Sequence, residues 1–130
     1  MGKLLALVAL LLSLGGCVAR PPEPQVRFVT GIHVCAVRDG HTVQKSSSDP
    51  ETMSIFLNYL RLLDPYTTAD IQEETFRADI CEIRVEYSDG QSTLYRQLHD
   101  QFLQTDGGPW KKIDPAYGAR LSNIISDFLG

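Results

Sequence analysis

From Val26 to Val37 apolar residues recur at alternating positions, with Val26, Phe28, Ile32, Val34 and Ala36 on one side and Val29, Cys35 and Val37 on the other. This pattern predicts a strand covered on both faces. Asp39-Gly40 supplies a tight hairpin turn, and Thr42 to Lys45 can return as a second strand. The period then changes. Met53, Phe56, Leu57, Leu60 and Leu63 repeat at helical spacing behind a start signal in which Ser48 or Asp49 caps and Pro50 has no N–H to leave unpaired. Asp64-Pro65 should end that helix, because proline disfavours helical geometry at the residue before it. Tyr66 to Glu74 is polar and reads as a loop, with a strand expected from about Thr75.

Cys81, Ile83, Val85 and Tyr87 alternate with Glu82, Arg84 and Glu86, giving a strand with one core face and one wet face. Ser88-Asp89-Gly90-Gln91 is the clearest hairpin signal and leads into a strand over Ser92 to His99. Phe102 to Gln104, the turn Asp106-Gly107-Gly108-Pro109 and Trp110 to Ile113 can complete a meander. Asp114-Pro115 opens a last helix, in which Tyr117, Leu121, Ile124, Ile125 and Phe128 share a stripe. The expected fold class is α+β, a mainly antiparallel sheet of about four to six strands with two amphipathic helices on one face.

The N-terminus has a different design. Lys3 precedes the apolar run Leu4 to Leu14, and small residues then precede Cys17, which is the layout of a secretory signal. The run falls short of the roughly twenty apolar residues that a membrane-spanning helix needs. Leu14-Gly15-Gly16-Cys17 resembles the lipobox of bacterial lipoproteins. The resemblance implies cleavage before Cys17 and lipidation of its thiol with acyl chains such as palmitate, a firm anchor once two chains are present. It also implies an extracytoplasmic protein held on the bacterial cell membrane. Val18 does not match the aspartate that commonly retains such proteins in the inner membrane of Gram-negative bacteria, so an outer-membrane location fits a host of that type. The chain therefore divides into a signal peptide (1–16), a lipidated cysteine with a tether rich in proline (17–25; Pro21, Pro22, Pro24), and a single small domain (26–130).

Composition removes some partners. Among 130 residues the formal net charge is −4, and the charges are scattered, so there is no basic footprint for nucleic acid. Apart from Cys17, the cysteines are Cys35 and Cys81, which in an oxidising compartment are a candidate disulfide or, alternatively, two buried small hydrophobes. His33, Cys35, Cys81 and His99 contain the residue types of a zinc shell, but no closely spaced ligand pair anchors them, and no metal or other cofactor is expected. A Cys-His nucleophile pair would need an accessible thiol of low pKa, whereas both cysteines sit in apolar alternation. Asp70, Glu73 and Glu74 read as a solvated charge run, and Trp110 either closes the core or offers a contact to a partner or glycan.

Tyr87 to Gly90 and Gly108 to Trp110, followed by a closing helix, resemble turns in small uncharacterised domains of bacterial envelope lipoproteins. That likeness implies a fold and no activity. The expected function is a non-catalytic, lipid-anchored binding module of the cell envelope whose partner is the membrane together with an envelope protein or polymer. The alternative is a small thiol-dependent or hydrolytic envelope enzyme.

Overall fold

The computed structural model describes residues 27–130. The apolar leader, Cys17, the tether and Val26 lie outside the described residues. Asp39 and Gly40 both take positive φ, 50° and 76°, which turns β1 (Val29–Arg38) back into β2 (His41–Ser47). Helix α1 (Pro50–Leu62) follows, capped by Asp49, whose Oδ2 accepts from the Thr52 N–H at 3.0 Å and its hydroxyl at 2.9 Å. Asp49 is thus the cap and Ser48 is not. The helix stops where Asp64, ahead of Pro65, swings to φ 41°.

The strand expected from Thr75 begins only at Ile80. Before it lie a one-turn helix α2 (Glu73–Phe76) and a 3₁₀ turn (Arg77–Asp79). Strands β3 (Ile80–Tyr87), β4 (Ser92–Leu98), β5 (Phe102–Thr105) and a two-residue β6 (Lys111–Lys112) then form the meander. Helix α3 (Pro115–Leu129) closes it, with Asp114 Oδ1 accepting from the Ala116 N–H at 2.9 Å. The fold is α+β, a six-stranded antiparallel sheet in the order β2-β1-β3-β4-β5-β6 with three helices.

One bulge decides which face of β1 is dry. Val29 pairs with Tyr87 and Gly31 with Glu86, so the extra residue resets the alternation and places Val29 on the side of Ile32 and Val34. Val29 packs against the core, whereas Phe28 is 63% exposed. This corrects the expectation that Phe28 shares the core side. Nor is β1 covered on both faces, because Val37 is exposed and Cys35 only half-buried.

The main core joins Ile32 and Val34 of β1, Ile83 and Val85 of β3, Leu103 and Ile113 to Phe56, Leu60 and Leu63 from the first helical segment and Leu121 and Ile125 from α3. On the opposite face, at the β4–β5 end, Ile80, Leu98 and Trp110 form a second cluster against Ile71, Phe76 and Phe102. The segment Ile71–Asp79 therefore lies as a lid over part of that face, leaving the part carried by β2, β1 and β3 open. Tyr66 to Ala69 border β6, with Tyr66 N–H donating to Lys112 O at 3.1 Å, Lys112 N–H to Thr67 O at 2.7 Å and Ala69 N–H to Trp110 O at 2.8 Å. The outer border of β2 has no such neighbour among the described residues.

Candidate functional site

The open part of the sheet face is built by register. His33 lies opposite Ser46 on one side and Arg84 on the other, and Cys35 lies opposite Gln44 and Glu82. Opposite residues in an antiparallel pair project to the same face, so two polar rows cross β2, β1 and β3. The second row continues from Glu82 to Arg96 and on to Gln104. Together with Glu86 and Leu94, the open residues line a shallow cavity of about 300 Å³.

His33 is the best-connected group there. Its Nε2 stands 3.1 Å from Glu86 Oε1, and its Nδ1 shares a short hydrogen bond with the Ser46 hydroxyl. With the Nε2 proton donated to Glu86, Nδ1 is left to accept from Ser46. Both side chains of the His33–Glu86 contact are nearly half exposed, so water competes for them and the contact orients the ring more than it stabilises the fold.

The candidate disulfide between Cys35 and Cys81 is not formed; both are free thiols. Cys35 pairs with Glu82 on the open face, whereas Cys81, the neighbour of Glu82 in the same strand, packs against the main core on the other face. Successive residues of a strand point to opposite sides, so the two sulfurs have the sheet between them. Burial pushes the Cys81 thiol up to about 12, and the nearby Cys35 and Glu82 add to the effect. Cys35 is also raised, first by burial and then by the charge of Glu82. Neither shift favours a thiolate at neutral pH. In native protein a thiol reagent at pH 8 should therefore modify Cys35 slowly and leave Cys81 intact until denaturant is added. Intact mass after alkylation checks this, and prompt modification of Cys81 would contradict its burial.

The residues weighed as a zinc shell are not brought together. His33 and Cys35 share the open face, Cys81 faces the core, and His99 sits at the β4–β5 turn with φ 50°, its Nε2 3.3 Å from Asp79 Oδ2. Among the described residues no three metal-ligating side chains cluster. No described helix is long and apolar enough to cross a membrane.

Trp110 closes the second cluster and is covered in this structure. It is 5% exposed, at the centre of the second cluster, and its indole N–H donates to Glu73 Oε1 at 2.8 Å. Glu73, though its side chain is 40% exposed, is bonded as well as solvated, because the same oxygen also accepts from Arg96 at 2.9 Å and Gln104 at 3.4 Å. These bonds hold the Glu73 carboxyl below the ordinary glutamate value of 4.5, Trp110 contributing most and Arg96 next. Sequence reading missed this knot and the Ser46-His33-Glu86 chain alike. The only local trace was Arg96, a lone charge inside the strand Ser92–Leu98.

Comparison of the chain with protein-family models, curated proteins and solved structures finds no match.

Proposed function

We propose that this protein is a non-catalytic, lipid-anchored module of the bacterial cell envelope, fixed to the membrane through Cys17, that binds an envelope protein or polymer on the open part of its sheet face. The observation that carries the binding surface is the uneven covering of that face. The lid closes over Arg96, Gln104 and Trp110, while Gln44, Ser46, His33, Cys35, Glu82, Arg84 and Glu86 stay accessible around one cavity. Charges of both signs stand side by side there, a composition that suits a polar partner better than an apolar one. The address rests on the likeness of Leu14 to Cys17 to a lipobox.

The test places a photoreactive phenylalanine analogue at Arg84 in the full chain, or at Asn123, an exposed position on α3, in intact host cells. Reproducible adducts from position 84 and none from 123 are expected. Equal adducts, or none from either, would overturn the surface. Intact mass of the membrane-extracted chain beside a Cys17→Ala variant tests the anchor separately, since acyl mass must be present in the first and lost in the second.

A second reading, a small hydrolase, is favoured by one observation: Ser46, His33 and Glu86 are hydrogen-bonded in series. In that role Ser46 would attack and His33 would take its proton. Covalent labelling by a fluorophosphonate, abolished in Ser46→Ala, would establish this reading. An unlabelled protein would remove it. The thiol-dependent version has no support, because both cysteines are shifted away from thiolate.

A further inference from the structure

Very little holds the lid down. None of the residues Glu73–Asp79 is buried. Its apolar grip consists of Ile71 and Phe76, both only partly buried against Ile80, Leu98 and Trp110. Beyond these, the lid is tied at its far end by His99, which meets Asp79 and packs edge to face on Phe76, and by the three bonds to the single oxygen Oε1 of Glu73. Segments with few buried contacts open first, well before the whole fold.

Arg96 stands between two carboxylates, Glu73 of the lid and Glu82 of the sheet beneath. Its NH1 donates to Glu73 at 2.9 Å and to Gln104 Oε1 at 2.8 Å, while its Nε lies 3.7 Å from Glu82 Oε2. Among the described residues Nε is the one buried side-chain polar atom without a hydrogen-bond partner. Glu82 already faces the guanidinium at that distance, and Gln104 holds NH1, so Arg96 keeps partners on the sheet when Glu73 lets go.

We propose that Ile71–Asp79 is a latched cover, held shut by the charge of Glu73 and lifted when that charge is lost. Lifting exposes Trp110, Ile80 and Leu98 and extends the open face across β4 to Arg96 and Gln104. The use of that enlarged face rests on the binding surface proposed above; the latch does not.

The charged and titratable groups around Glu73 set the direction of the pH response. Arg96 comes from β4, with neutral Gln104 from β5 and Trp110 from the turn before β6; Glu82 of β3 lies beyond Arg96, Glu74 is exposed on the lid itself, and the His99–Asp79 pair stands at its far end. Because the bonds favour the ionised form, the Glu73 carboxyl titrates below the ordinary glutamate value of 4.5. The closed lid is therefore fully supported above that value and loses support as the pH falls through the lowered one.

The experiment is hydrogen exchange on the full chain, with fluorescence of Trp110, the single tryptophan, in wild type, Glu73→Gln and Glu82→Gln. In Glu73→Gln, amides of the lid should exchange about tenfold faster and iodide should quench Trp110, while amides of α3 keep their wild-type rates. Wild-type protein should show the same step in acid, Glu73→Gln should lack it, and Glu82→Gln should keep the lid closed at neutral pH. Lid amides in Glu73→Gln that exchange at wild-type rates would overturn the latch. So would lid and α3 amides that speed up together in either protein, because that result describes loosening of the whole domain. Neither result alters the crosslinking at Arg84.

Discussion

Gly118→Ala should destabilise the domain by about 3 kcal/mol, although on an open helix the same change favours helix formation by about 1 kcal/mol. The reason is contact. A Cβ built on Gly118 would stand 2.0 Å from the carbonyl oxygen of Asp100 and 2.7 Å from its carbon, where ordinary contact begins at 3.4 Å. The obstacle is backbone, which cannot swing aside as a side chain does. The joint between α3 and the β4–β5 turn is also tied by other bonds: Gln97 Nε2 donates to Gly118 O at 3.0 Å, and the Ser122 hydroxyl donates to Asp100 Oδ1 at 2.6 Å. Moving the helix by the ångström or more that a methyl group demands would stretch both. The steric cost outweighs the propensity gain, and thermal unfolding should shift down by roughly 15 °C for a domain of this size. A variant melting higher than wild type would show that α3 does not approach the turn this closely.

Phe56→Ala should cost about 3–5 kcal/mol, a large part of the roughly 5–15 kcal/mol that holds a domain folded. Phe56 is 1% exposed and meets Phe128 edge to face, with ring centroids 5.3 Å apart and planes at 80°. Removal of the ring takes away apolar burial, the aromatic pair and the contact between α1 and α3 together. Urea unfolding should show a lower midpoint with an unchanged slope. A loss below about 1 kcal/mol would mean that the two helices close over the gap.

What could be read in advance was local. The Asp49-Pro50 and Asp114-Pro115 starts, the helical stripes behind them and the Asp39-Gly40 and Asp89-Gly90 turns each depend on neighbours within a few residues, and each is where its pattern put it. What could not be read depends on distant partners. The bulge that brings Val29 inward is defined against Tyr87, almost sixty positions away in the chain, so Phe28 and Val29 exchange roles with no signal of their own. Thr75 to Asp79 can be extended or helical on propensity alone, and the contact of Phe76 and Ile71 with Trp110 decides for the lid. The candidate site follows the same rule. Glu82, Arg84 and Glu86 were recognisable as a wet row, but its meeting with His33 and Ser46 is set by strand order, and strand order brings Glu73 and Trp110 together from opposite ends of the meander.

The two borders of the sheet also govern how the protein can go wrong. Tyr66 to Ala69 already occupy the side of β6, whereas the seven residues of β2 present their outer amides and carbonyls without a neighbour among the described residues. Fibrils grow because every added strand offers a fresh edge to the next. The β2 border invites a different outcome: β2 of one molecule laid against β2 of another, about a two-fold axis, uses up both of these edges in a closed pair.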